Sequence, residues 1–155
     1  MPQVYLAAPI DKVEAAEQRF RMAALGLGKE WEGRDGGLAI YNPLAVWTMS
    51  LSIRDDREAC RKVARLNETA LLTSDLLFLC YKEGVESWGV PMEMKVAYDA
   101  KIPMVMWGTD YDREQSIHIL PVYAQAYFTD SVICGLDLAC SRAVNILAGN
   151  RGKHG

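Results

Sequence analysis

Leu76-Leu77-Phe78-Leu79-Cys80-Tyr81 is an unbroken apolar run, with Asp75 before it and Lys82 after it. A strand with one wet face alternates apolar and polar residues. A strand without alternation asks for cover on both faces. Its surroundings supply candidates for that cover. Asp11 to about Trp31 is helical in pattern, with Val13, Ala16, Phe20, Ala23, Ala24 and Leu27 on one side and Asp11 placed to cap it. A second helix is expected from about Asp55 to Thr73, on Ala59, Val63, Leu66, Ala70 and Leu71. A third starts with Pro91 in its first turn.

Further short apolar segments alternate with these helices. Val4 to Ala8 reads as a strand stopped at Pro9, Leu38 to Tyr41 as one stopped at Asn42-Pro43, and Met104 to Trp107 as one opened by Pro103. Alternation of strand and helix at short spacing predicts an α/β fold, a parallel sheet with helices on both faces. From Asp110 to Ala148 the pattern is mostly helical, broken near Pro121 and Thr129-Asp130, with room for a strand around Ile117 to Leu120. Residues 1–148 are expected to form a single domain and 149–155 a flexible tail. Ligands of such sheets bind at the carboxyl ends of the strands, so the loops after Ala8, Tyr41, Tyr81 and Trp107 matter most.

Charge and cysteine usage narrow the chemistry. A formal net charge of −3 over 155 residues, with no basic block, argues against a nucleic-acid polymer as partner but leaves room for one small anion. No apolar run nears the ~18 residues of a membrane span, and Met1 to Tyr5 lacks signal-peptide character, so the expected location is the cytoplasm. Cys60, Cys80, Cys134 and Cys140 form no C-x-x-C pair, and the histidines are His118 and His154. That set lacks the short spacing of a zinc site, and the thiols read as reduced and structural. No metal or cofactor is expected.

The richest stretch follows the third strand: Glu86-Ser87-Trp88-Gly89-Val90-Pro91-Met92-Glu93. Glu93 is expected in the first turn of the third helix, where the helix dipole would lower its pKa. A carboxylate at the ligand edge can act as nucleophile or stabilise a developing cation. Free N–H groups of the same turn, with the Ser87 hydroxyl, can bind an oxyanion such as phosphate. The plainer reading is an acidic residue decorating a helix start beside an ordinary loop serine.

Three separated motifs resemble the nucleoside 2-deoxyribosyltransferase superfamily. They are Val4-Tyr5-Leu6-Ala7-Ala8-Pro9, the run from Asp75 to Tyr81 continued by Ser87 to Glu93, and Ala97-Tyr98 with Lys101-Ile102-Pro103. The resemblance covers about the first two-thirds of the chain. It implies a Rossmann-like or flavodoxin-like sheet of about five strands and no cofactor. It also implies a nucleoside or nucleotide as small-molecule partner, and a homodimer or larger assembly. By it, Glu93 would be the nucleophile at the anomeric carbon and Tyr5 would orient it, with Pro9 and Gly89 lining the substrate. The chemistry is that of a retaining glycosidase: loss of the base gives oxocarbenium character that a carboxylate stabilises or traps. Water as acceptor gives hydrolysis; a second base gives transfer.

Two positions bear on the branch. Six residues before the glutamate, nucleoside-specific members carry an aspartate that binds the 5′-hydroxyl; this chain has Ser87. Serine can donate to a phosphate that aspartate would repel. Ser87, Gly89 and Val90 therefore resemble the 2′-deoxynucleoside 5′-phosphate N-hydrolase branch, unless Glu86 takes the aspartate's part by a one-residue shift. Eight residues before Asp75, where the family carries an aspartate thought to handle protons at the leaving base, stands Asn67. An amide binds a base but supplies no proton. Asn67 is therefore a binding residue here, and a weakened catalyst or a binding module stays open. Asn42 and Trp47, after the second strand, can pair or stack with a base, or be an Asn-Pro turn and a packed Trp. Asp35 beside Gly36-Gly37 reads as a turn, Arg19 and Arg21 as a solvated helix face, and Asp75 as structural.

Overall fold

The computed structural model describes residues 1–9, 12–44, 55–82, 89–109, 111, 114–130 and 132–154, the last five by backbone alone. Four parallel strands, β1 (Gln3–Ala7), β2 (Ala39–Tyr41), β3 (Leu76–Tyr81) and β4 (Met104–Gly108), form one sheet in the order β2-β1-β3-β4. A second, antiparallel pair joins β5 (Gln115–Ser116) to β6 (Val132–Ile133). Just past β6, Cys134 pairs with Trp107 in the parallel sense. Its N–H donates to the Met106 carbonyl at 3.4 Å, and its own carbonyl accepts from Gly108 N at 3.1 Å. This single bridge is a rudimentary fifth strand, so the parallel α/β sheet of about five strands is what the chain forms.

Helices α1 (Val13–Trp31) and α5 (Leu136–His154) cover one face of the sheet, and α2 (Arg57–Leu72) and α3 (Gly89–Asp99) cover the other, joined there by the short α4 (Val122–Tyr127). The two-sided cover explains the missing alternation in β3. Leu76, Phe78 and Cys80 enter the α1/α5 core with Val4, Leu6, Val105 and Trp107, while Leu77 and Leu79 join Tyr5, Ala7, Met104 and Met106 on the opposite side. Each strand thus serves two cores with successive side chains.

Several local expectations meet a physical reason here. Asp75 is structural: its Oδ2 accepts from Gln3 N at 2.8 Å while its own N–H donates to the Gln3 carbonyl at 2.8 Å, clipping β1 to the start of β3. Asp56 caps α2, its Oδ1 accepting from Ala59 N at 3.1 Å. The expected cap Asp11 lies outside the described residues. Asp35 does belong to a turn. It lies beside Gly33 and Gly36 at φ +81° and +77°, which only glycine adopts without strain, and the Trp31 indole donates to the Gly36 carbonyl at 3.1 Å.

Other expectations are corrected. Ile117 to Ile119 is a single 3₁₀ turn rather than a strand, capped by the Ser116 hydroxyl, which accepts from His118 N at 3.3 Å. The strand segments of this region are Gln115–Ser116 and Val132–Ile133, each too short to show a period. Helix α5 continues through Gly149 to His154. Arg19 is the clearest surprise. It sits on α1 at 9% exposure, and its Nη1 donates to the Pro9 carbonyl at 3.1 Å. A buried guanidinium persists only where oxygen acceptors meet it, and the turn leaving β1 provides one. Arg21 is exposed, as expected.

Candidate active site

β1 lies between β2 and β3, and the chain leaves β1 and β3 toward opposite faces of the sheet. In open parallel sheets, ligand sites form at such a reversal, beyond the carboxyl ends of the two strands. Tyr5, Tyr41, Asn67 and Glu93 gather on the α2/α3 side of this point. Tyr5 of β1 is in parallel register with Tyr41, the last residue of β2, so both rings leave the sheet on the same face. They stack with centroids 5.2 Å apart at 19° between planes.

Tyr5 donates its hydroxyl proton to the Glu93 carboxyl of α3. Gly89 lies one turn earlier on the same helix face, where a Cβ would stand 3.7 Å from Glu93 Oε1. A side chain larger than hydrogen at Gly89 would thus begin to fill the space in front of the carboxylate. The resemblance's nucleophile, its orienting tyrosine and the glycine before them do come together.

The electrostatics differ from the sequence expectation. Because α3 begins by Gly89, Glu93 stands beyond its first turn, and the dipole's influence falls off within that turn. Burial dominates instead. The carboxyl is closely surrounded by protein although part of the residue's surface stays accessible, and desolvation pushes its pKa up to about 7 against the lowering pull of the Tyr5 hydrogen bond. The Tyr5 hydroxyl moves up as well, first by burial and then by the Glu93 charge, so it remains a proton donor at any working pH. Burial also raises Tyr41.

Asn67 of α2 joins this group through a residue that sequence reasoning passed over. The Tyr41 hydroxyl donates to Asn67 Oδ1 at 2.8 Å. A contiguous chain results: Asn67, Tyr41, Tyr5, Glu93, linked by a hydrogen bond, a ring stack and a second hydrogen bond. The signal for Tyr41 was its position, the last residue of a strand at the ligand edge. Two further tyrosines at that edge, Tyr81 ending β3 and Tyr111 packed against Gly108, border the same apolar cluster.

The remaining candidates divide. Pro9 is buried at the carboxyl end of β1, where its carbonyl holds Arg19. Asn42 is exposed, and its Oδ1 accepts from Leu44 N at 2.9 Å, the local turn expected of an Asn-Pro pair. Ser87 and Trp47, with Glu86, lie outside the described residues. Glu68 is exposed beside Asn67 on α2. Among the described residues no group of His, Cys, Asp and Glu is placed to hold a metal ion, and no helix is long and apolar enough to cross a membrane.

The sequence matches no family model and no curated protein. Solved structures are similar in three dimensions. A 2-desoxiribosyltransferase from Leishmania mexicana superposes at a TM-score of 0.58, with 12% identity over 94% of this chain and 98% of that one. A conserved protein from Enterococcus faecalis V583 gives 0.54, with 20% identity over 92% and 87%. A 2-deoxyribosyltransferase from Bacillus psychrosaccharolyticus gives 0.50, with 15% identity over 83% and 92%. The class is thus an open, parallel α/β sheet whose topology reverses between β1 and β3. The particular version is the fold seen in 2-deoxyribosyltransferases.

Proposed function

We propose that this protein is an enzyme that cleaves the N-glycosidic bond of a (2′-deoxy)nucleoside 5′-monophosphate, giving free base and sugar 5-phosphate. The observation that carries the reading is the Tyr5–Glu93 pair: a desolvated carboxylate held by a hydroxyl that stays protonated. In this reading Glu93, once ionised, attacks the anomeric carbon as the C–N bond breaks and the base leaves with the bonding electrons, protonated from solvent. Water then adds at the anomeric carbon and frees Glu93. The low-polarity setting strengthens the carboxylate's interaction with the oxocarbenium-like transition state. The 5′-phosphate rests on the sequence pattern Ser87, Gly89 and Val90, in which a hydroxyl and a helix N-terminus replace a basic surface as anion binders.

A second reading, transfer of deoxyribose between bases, is favoured by the fold shared with proteins described as 2-deoxyribosyltransferases. A non-catalytic nucleotide-binding module is the third, on the strength of Asn67 where an acid is expected. Incubation with each deoxynucleoside 5′-monophosphate and each deoxynucleoside, with and without acceptor base, separates them. Base release that requires the phosphate supports the first, exchange without it the second, and saturable binding without turnover the third. Glu93→Ala is expected to abolish turnover in either enzyme; full activity in that variant refutes the nucleophile. The reading includes a cytoplasmic protein and a homo-oligomer, the latter checked by light scattering.

A further inference from the structure

The Tyr5 hydroxyl meets Glu93 only while its ring keeps one orientation, and the sheet sets a side chain on each flank of that ring. Parallel register puts Leu77 of β3 beside Tyr5 on one flank and Tyr41 of β2 on the other, all three leaving the same face. The two flanks are held differently. Leu77 belongs to an inner strand and is fully buried. Tyr41 ends a three-residue strand at the edge of the sheet and is part-exposed. An edge position has no further strand outside it to keep a ring in place. Here α2 supplies the missing hold. The Tyr41 hydroxyl is hydrogen-bonded to the Asn67 side chain at 2.8 Å, and that bond ties the ring to the helix whichever group gives the proton. Tyr41 then lies over Tyr5 with centroids 5.2 Å apart and 19° between planes.

The geometry points to Tyr41 as a positioning residue: anchored on α2 by Asn67 and stacked on Tyr5, it keeps the Tyr5 hydroxyl on the Glu93 carboxyl. This deepens the N-glycosidic reading, and its bearing on turnover rests on that reading. A Tyr5 ring without its outer flank would divide its time between bonded and unbonded orientations. Glu93 would then lose part of the hydrogen bond that favours its ionised form. Among the described residues Tyr5 acts on the Glu93 charge from β1, and Tyr41 acts on Tyr5 from β2. Glu68 of α2 is exposed, and on the outer side of α3 Lys95 pairs with Asp99 and lies over the Tyr127 ring of α4.

The test is a double-mutant cycle read without substrate. The carbon-13 shift of the Glu93 side-chain carboxyl, assigned through Glu93→Gln, gives its titration midpoint. Tyr41→Leu removes the stack and is expected to raise that midpoint by about 0.5 in pH and to lower kcat/KM for base release about tenfold. In a Tyr5→Phe background there is no hydroxyl left to misplace, so the same substitution should not raise the midpoint. Tyr41→Phe keeps the stack but loses the tie to Asn67, and should fall between wild type and Tyr41→Leu. A ring that only packs or keeps water out would move the midpoint equally in both backgrounds. Such additivity overturns the inference, as does a Tyr41→Phe variant as damaged as Tyr41→Leu. Non-additive midpoints in a protein that releases no base keep the inference and sink the glycosidase. Base release with additive midpoints does the reverse.

Discussion

Glu93 keeps its proton to about pH 7 because its carboxyl loses more by leaving water than the Tyr5 hydroxyl returns. If the ionised form is the nucleophile, kcat/KM for base release should climb through about pH 7 and level off above it. Tyr5→Phe removes the donor that lowers this pKa, so the rising limb should move to higher pH and the plateau fall roughly tenfold or more. A pH profile of that variant with an unmoved limb would separate Tyr5 from the titration. The same burial carries a stability cost. The folded value lies above the ordinary carboxylate value, so the folded protein binds this proton more tightly than the unfolded chain does. The stabilisation is complete below about pH 4.5 and is lost as pH rises through about 7. Glu93→Gln should therefore raise Tm at pH 8, by about 1–3 kcal/mol of stability, and change it little at pH 4.5. At this scale the sequence disclosed the residues but not their charges. Tyr5 and Glu93 were legible from their motifs, whereas the pKa depends on how many atoms crowd the carboxyl. Tyr41 carried no motif at all; its place beside Tyr5 comes from a strand register, and its hydrogen-bond partner lies 26 positions away. Arg19 misled because helical spacing shows which face a side chain takes, not whether a carbonyl awaits it there.

Elements transmit these positions. Helix α3 sets Glu93 against Tyr5, and its far end is closed by a six-residue hydrogen-bonded loop in which Ile102 N donates to the Ala97 carbonyl at 2.9 Å. The loop puts Lys101 at φ +59°, a conformation that costs a non-glycine residue about 1 kcal/mol. Lys101→Gly should relieve it and raise stability by about 0.5–1 kcal/mol in urea unfolding, with turnover unchanged, since the residue stands at the opposite end of α3 from Gly89. Long elements with strong patterns were readable. Helices α1, α2 and α3 and strands β3 and β4 fall within a few residues of their expected bounds. The two-residue strands β5 and β6 were not, because pairing partners rather than local pattern define them.

The whole molecule is a sheet between two cores, and its thiols report on that. Cys80, Cys134 and Cys140 are buried, and burial pushes Cys134 up to about 11 and Cys140 up to about 12, while Cys60 on α2 is half-exposed. One thiol per chain, Cys60, should react promptly with an aromatic disulfide reagent at pH 8. The other three should react only at the rate of global opening. Fast labelling of a second cysteine would show that one core opens independently.

The separation of the two cores has a practical side. Tyr5, Tyr41, Asn67 and Glu93 all stand on the α2/α3 face, whereas α1 and α5 pack on the reverse. Gly28, on the outer surface of α1, has open space around its missing Cβ. The reverse side, away from Arg19 and its bond to Pro9, is therefore the place to graft a tag, fix the protein to a resin or harden it by helix-favouring substitutions, because the sheet separates changes there from the Tyr5–Glu93 pair.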